Sequence, residues 1–261
     1  MQFGIYTTVE NAPAVKAAGW DFVEENVQTF LQGKLPDAEW QGEERMKNSP
    51  LKVPAANRLV PPDLGIIGPE RDTVALTKYI TRVIERAGRT GTTTLVFGSG
   101  AARTIPPGVD RDTAKQHILE FLRMALPVAK KAGVTIVAEP LYTVECNIMN
   151  TVAECMQYVR ELNHPNFYCL VDSFHLWWDK EPLSNLKAAM PWIRHVHVSD
   201  LKDRMPPGET DENNDYRGFF RVIREGGYDG MVTVEANHID IPTQGPRVLA
   251  RLRDAWETAL K

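Results

Sequence analysis

The sequence predicts a single (β/α)8 barrel of the α/β class. Eight short runs rich in β-branched residues alternate with longer helical patterns. The total of 261 residues is a length that eight strand-and-helix units fill. A doubly wound open sheet would show the same alternation. No GxGxxG or Walker loop follows an early strand, however, which disfavours that alternative.

Taken in order, the expected strands begin with FGIYT at 3–7 and DFVEENV at 21–27. The third, LKVPAAN at 51–57, is interrupted by Pro54 and followed by the proline-rich loop VPPDLGIIGPE. A helix is expected over 73–88, with Asp72 as its N-terminal cap and Gly88 as its stop. TTLVFGS at 93–99 is the fourth strand. A second long helix follows over 112–133, capped by Asp112 and ended by Gly133. The remaining strands are VTIVAEP (134–140), NFYCLVD (166–172), IRHVHVS (193–199) and GMVTVEAN (230–237). No internal repeat, low-complexity tract or linker divides the chain, so residues 1–261 read as one domain.

Bulk properties narrow the function. Charged residues are 25% of the chain and well mixed, which disfavours disorder. The net charge of −4 offers no basic face for nucleic acid. Three cysteines without ligand spacing (Cys146, Cys155 and Cys169) read as reduced core thiols. No apolar run approaches membrane-spanning length, and Met1 leads into FGIYTTV without a basic segment or cleavage site. A cytoplasmic protein with a small-molecule substrate, and with neither nucleic-acid nor membrane partners, is the expectation.

Barrel active sites form at the C-terminal ends of the strands. The fifth to eighth expected strands each end in a metal-ligand type: Glu139, Asp172, His197 and Glu235. Side-chain alternation puts His195 and His197 on one face, opposite Val196 and Val198. Likewise Thr233 and Glu235 oppose Val232 and Val234, and Glu139 shares a face with Thr135 and Val137. Carboxylates turned into a barrel are costly unless paired or bound to metal. Three carboxylates and one imidazole suit a single divalent ion, Mn²⁺ first, with Mg²⁺, Co²⁺ and Zn²⁺ also compatible. His195 lies one layer below His197 as a supporting or core residue. Glu24, which shares a face with Phe22, reads as structural in first place. Trp177 and Trp178 are candidates to wall the pocket. Cys146 has no base beside it and is not read as a nucleophile.

Four segments, AEPLYTVECNIMNT (138–151), VDSFHLWW (171–178), HVHVSDLKDRMPPG (195–208) and VTVEAN (232–237), carry a resemblance. Together they resemble the xylose isomerase-like TIM-barrel superfamily, in its sugar isomerase and epimerase branch with ketose 3-epimerases and hydroxypyruvate isomerases. The resemblance implies that Glu139, Asp172, His197 and Glu235 bind the metal, the second histidine of the pair being the ligand. It also implies substrate contacts for His175 and Glu145. The loop GSGAARTIPPG (98–108) is similar to one lying over the site, with Arg103 as a contact to a polar or anionic group. An arginine expected six residues past the metal histidine falls on Asp203, with Arg204 one later. Tyr142 and Thr143 stand where these epimerases carry an Asn-Arg pair, and PPGETDENNDY is more acidic than the related loop. These departures bear on the particular sugar more than on the metal. Related barrels often pair, which leaves a homo-oligomer open.

The implied chemistry is proton transfer through an enediolate, with Glu139 and Glu235 as the catalytic carboxylates of a metal-dependent isomerase or epimerase. Three alternatives compete with this chemistry. A lyase or dehydratase on a keto-sugar, keto-inositol or keto-glycoside would share the enediolate and then lose a leaving group. An apurinic endonuclease-like hydrolase would need a histidine-rich multi-zinc site and a basic face, which six scattered histidines and the net charge oppose. A non-catalytic sugar-binding barrel would not need two paired carboxylate bases.

Overall fold

Parallel pairing runs without a break around a ring in the computed structural model, which describes residues 1–210 and 214–261. Residues 211–213 belong to the acidic stretch PPGETDENNDY, and that part of the expectation lies outside the described residues. The strands are β1 (Gln2–Tyr6), β2 (Phe22–Asn26), β3 (Ala55–Asn57), β4 (Thr94–Phe97), β5 (Thr135–Ala138), β6 (Phe167–Asp172), β7 (Ile193–Val198) and β8 (Met231–Val234). β8 pairs back onto β1 with Phe3 opposite Val232, which closes the barrel. The eight-stranded (β/α)8 fold read from the alternation is the observed one. β3 is only three residues long and begins directly after Pro54, which explains the irregular pattern there.

Two separate apolar clusters show which way the strands face. Val23, Ile136, Val196, Val198, Val232 and Val234 pack outward with the helices in the main core. Val96, Val137 and Leu170 form a small cluster of their own inside the barrel. The period of two then sends the next residue but one of each strand to the upper rim. Above Val137, Leu170, His195 and Thr233 come Glu139, Asp172, His197 and Glu235. At the bottom, Gly4 leaves room for the Phe22 ring, to which an added Cβ would come within 2.3 Å.

Two helix boundaries differ from the sequence reading. Asp72 caps the helix Thr73–Thr90 through the Ala75 N–H (2.9 Å), as expected. That helix does not stop at Gly88. Gly91, in the left-handed region with φ 76°, ends it instead. Gly88 serves close packing: a Cβ there would lie 3.1 Å from the Ala132 carbonyl of the neighbouring helix. The second long helix spans Arg111–Ala132 and is capped by Asp110, which accepts from the Thr113 N–H at 2.9 Å. Asp112 therefore lies inside the first turn, where its charge meets the helix dipole but cannot cap. Gly133 (φ 70°) ends this helix as expected. Cys146, Cys155 and Cys169 are all buried and free. Among the described residues no helix is long and apolar enough to cross a membrane.

Asp110→Ala is expected to lower the thermal midpoint by about 2–4 °C, the size of a lost cap in a chain of this length. Asp112→Ala should leave the midpoint close to that of the parent. Thermal melts followed by circular dichroism decide which aspartate is the cap.

Candidate active site

The ends of β5 to β8 bring the four expected ligands into one group. Donor atoms of Glu139, Asp172, His197 and Glu235 all lie within 4.8 Å of one another. His197 turns one nitrogen toward two carboxylates, its Nδ1 lying 3.2 Å from Glu139 Oε1 and 2.9 Å from Glu235 Oε2. Gly98, just past β4, makes room for Glu139, because a Cβ there would lie 2.2 Å from Glu139 Oε2. Asn57, the last residue of β3, donates its side-chain N–H to Glu235 Oε1 at 2.7 Å. Sequence reasoning missed Asn57. Its signal was its place at a strand's C-terminal end, obscured by Pro54 in the same run.

Arg204 enters the group from the loop after β7. One guanidinium nitrogen, Nη2, donates to Asp172 Oδ2 (2.7 Å) and to Glu235 Oε2 (2.6 Å). Two consecutive residues in the left-handed region, Asp203 (φ 57°) and Arg204 (φ 51°), turn the chain back toward the barrel. Asn237 ties this turn down, its backbone N–H donating to the Arg204 carbonyl and its side chain to that of Asp203. Asp200, fully buried, anchors the rest of the loop by accepting from Gly208 N–H, Thr210 Oγ1 and Tyr216 Oη.

The other expected residues divide between cavity wall and framework. The site opens into a cavity of about 720 Å³. His175, Glu145 and Trp178 line it, so the first two stand where a substrate contact is feasible. His175 Nδ1 accepts from the Tyr142 N–H at 3.1 Å, and its Nε2 lies 3.5 Å from Asp172 Oδ2. Tyr142 stacks on the His175 ring and meets Trp178 edge-on at 5.1 Å, forming an aromatic ledge at the mouth. Two expectations need correction. Arg103 does not line the cavity. It is fully buried, and its guanidinium donates to the carbonyls of Phe97 (2.9 Å) and Glu139 (2.7 Å), holding the end of β5 in place. Trp177 turns away from the cavity and packs edge-on against Tyr216, leaving Trp178 as the aromatic at the wall.

Below the rim, Glu24 is fully buried and binds both histidines, His195 Nε2 at 2.7 Å and His197 Nε2 at 3.0 Å. The reading of Glu24 as a plain framework residue thus undershoots, since it touches a candidate ligand.

The electrostatics follow from crowding. Burial raises the Glu139 carboxyl, and the Glu235 charge adds to that effect. Burial likewise pushes Asp172 up to about 6 against the pull of Arg204. Burial opposes ionisation of Glu235 as well, but Arg204 and His197 outweigh it and bring this group down to about 2. Burial would lower His197, yet Glu24 and Glu235 raise it well above its ordinary value. For His175, burial and then the Arg204 charge keep the ring neutral.

The donor set fits a divalent cation. With His197 neutral, three carboxylates and one guanidinium sum to −2, which a doubly charged ion cancels. Oxygen-rich ligation with one nitrogen suits hard and borderline ions.

Fold and rim together define a (β/α)8 barrel with a candidate metal centre at its C-terminal face. The chain belongs to the xylose isomerase-like TIM barrel family, whose pattern it matches over residues 12–258. It is 25% identical over 244 residues to an L-ribulose-5-phosphate 3-epimerase, UlaE, of Shigella boydii, covering 87% of this chain and 81% of that one. It is 26% identical over 188 residues to the 3-dehydro-D-guloside 4-epimerase of Escherichia coli, covering 69% of each. Among solved structures, the E. coli 3-keto-D-glucoside 4-epimerase YcjR superposes with a TM-score of 0.80 at 23% identity, over 97% of this chain and 99% of that one. The IOLI protein, solved with a binding zinc atom, gives 0.74 at 18% identity, over 100% and 98%.

Metal binding is expected to displace a proton, because the raised pKa of His197 leaves its ring charged in the metal-free protein and a ligand imidazole must be neutral. Affinity for Mn²⁺ should therefore rise with pH between about 5 and 8, helped at the lower end as Asp172 ionises near 6. Calorimetry in two buffers of different ionisation enthalpy measures the release, and pH-independent affinity with no proton release would contradict it.

Proposed function

We propose that the protein is a metal-dependent sugar epimerase or isomerase that moves a proton on a keto-sugar, with the whole chain acting as one catalytic domain. The observation that carries this reading is the pair Glu139 and Glu235, which meet at His197 Nδ1 on the floor of an open cavity. The epimerase names of its relatives support it, and the two relatives described carry no lyase activity in their names. Glu139, Asp172, His197 and Glu235 would hold the ion, Mn²⁺ in the first instance. Once bound, that ion would supply Lewis-acid polarisation of a carbonyl and its neighbouring hydroxyl.

The remaining work falls to the chain's own groups. One of Glu139 and Glu235 takes the proton from the hydroxyl-bearing carbon next to the carbonyl. If the other returns a proton from the opposite face, the centre inverts; if a single carboxylate carries it to the adjacent carbon, an aldose and a ketose interconvert. Arg204 holds positive charge next to Asp172 and Glu235, which favours negative charge developing on a substrate oxygen. His175 and Glu145, which line the cavity, would bind hydroxyls, and the Tyr142–Trp178 ledge would offer an apolar face to a sugar ring. A net charge of −4 and an acidic cavity floor oppose a nucleic-acid substrate. Three buried free thiols fit a reducing, cytoplasmic setting.

Glu139→Gln and Glu235→Gln, assayed at saturating Mn²⁺, should each lower turnover by about 10²- to 10⁴-fold while sugar binding is at least partly kept. Turnover in deuterated water should place deuterium at the inverted or newly protonated carbon. Full activity in both variants would sink the mechanism. The assay panel is free keto-sugars, keto-glycosides and keto-sugar phosphates.

Trp178→Ala should raise KM several-fold with kcat nearly unchanged, the result of losing a stacking face that substrate and transition state use equally. An unchanged KM on the best substrate of the panel would remove the ledge from the binding site.

A further inference from the structure

Glu24 lies at the centre of a second close group, Glu24, His195 and His197, which shares His197 with the rim. These three residues have no exposed surface. Both histidine Nε2 atoms already face Glu24 oxygens at hydrogen-bond distance, 2.7 and 3.0 Å, so the group is closed on itself and leaves no open position for a second ion. Thr233 adds a third donor, its hydroxyl giving a 2.6 Å bond to Glu24 Oε2. Glu24 therefore accepts from three side chains at once: Oε1 from His197, and Oε2 from His195 and Thr233.

That arrangement has a consequence for the rim. A neutral imidazole, the form a metal ligand takes, keeps its Nδ1 lone pair free when its Nε2–H is donated to a carboxylate. In His197, Nδ1 is the atom that faces Glu139 and Glu235. His195 fixes the geometry from below: its Nδ1 has no hydrogen-bond partner among the described residues, so its single ring proton sits on Nε2 and points at Glu24. We infer that Glu24 is a positioning residue for the metal centre, holding His197 in the Nε2–H tautomer and aiming its Nδ1 at the ion. This rests on the metal-site reading given above.

The test uses the whole protein with Zn²⁺ and with Mn²⁺. Glu24→Gln should weaken affinity for both ions about 10- to 100-fold, the usual effect of losing a partner behind a ligand. Thr233→Val, which keeps the shape and removes one donor, should weaken it less and in the same direction. In the zinc form of the parent protein, nitrogen-15 NMR of the His197 ring should show a protonated Nε2 and a ligated Nδ1. Zinc ligated through Nε2 would overturn the inference even if Glu24→Gln failed to fold. So would parent-like affinity in a folded Glu24→Gln protein. A parent protein that binds neither ion would instead overturn the metal-site reading, and this inference with it.

Discussion

Closing eight parallel strands into a ring forces every second side chain into a space that water does not reach. Charged groups survive there only when donors and acceptors meet one another. The upper half of this barrel satisfies that demand in two tiers. Glu24 draws three donors around itself, and one of them, His197, spends its other nitrogen on the tier above. Arg204 then balances the carboxylates that remain. Within the upper tier the carboxylates oppose one another's ionisation, and Arg204 and His197 offset that repulsion. The cavity above inherits its acidic floor from that balance.

Much of this was legible in the sequence because the strand period of two carries it. Alternation along β7 separates His195 and His197 from Val196 and Val198, and the same alternation on β5 and β8 orients Glu139 and Glu235. Capping residues were readable to within a few positions. At Asp110 and Asp112, two aspartates compete for one helix start, and only backbone geometry separates them.

What was not legible depends on contacts across the ring. Glu24 and Thr233 are 209 positions apart, and nothing local to either announces their bond. Asn57 and Glu235 are separated by 178. Arg103 misled for a related reason. A loop arginine beside a cavity has the composition of an anion contact, whereas its neighbours in space are the backbone carbonyls of Phe97 and Glu139. Trp177 and Trp178 are adjacent, and the turn of a short helix decides which one meets the cavity and which the core.

The left-handed pair at Asp203 and Arg204 sets where a positive charge arrives. Two consecutive residues of left-handed backbone turn the chain toward the barrel, and the Arg204 guanidinium meets Asp172 and Glu235. Asn237, two residues past Glu235, holds that turn through the carbonyls of both residues. The charge of the rim therefore depends on a backbone conformation, and not only on the residues that carry charge.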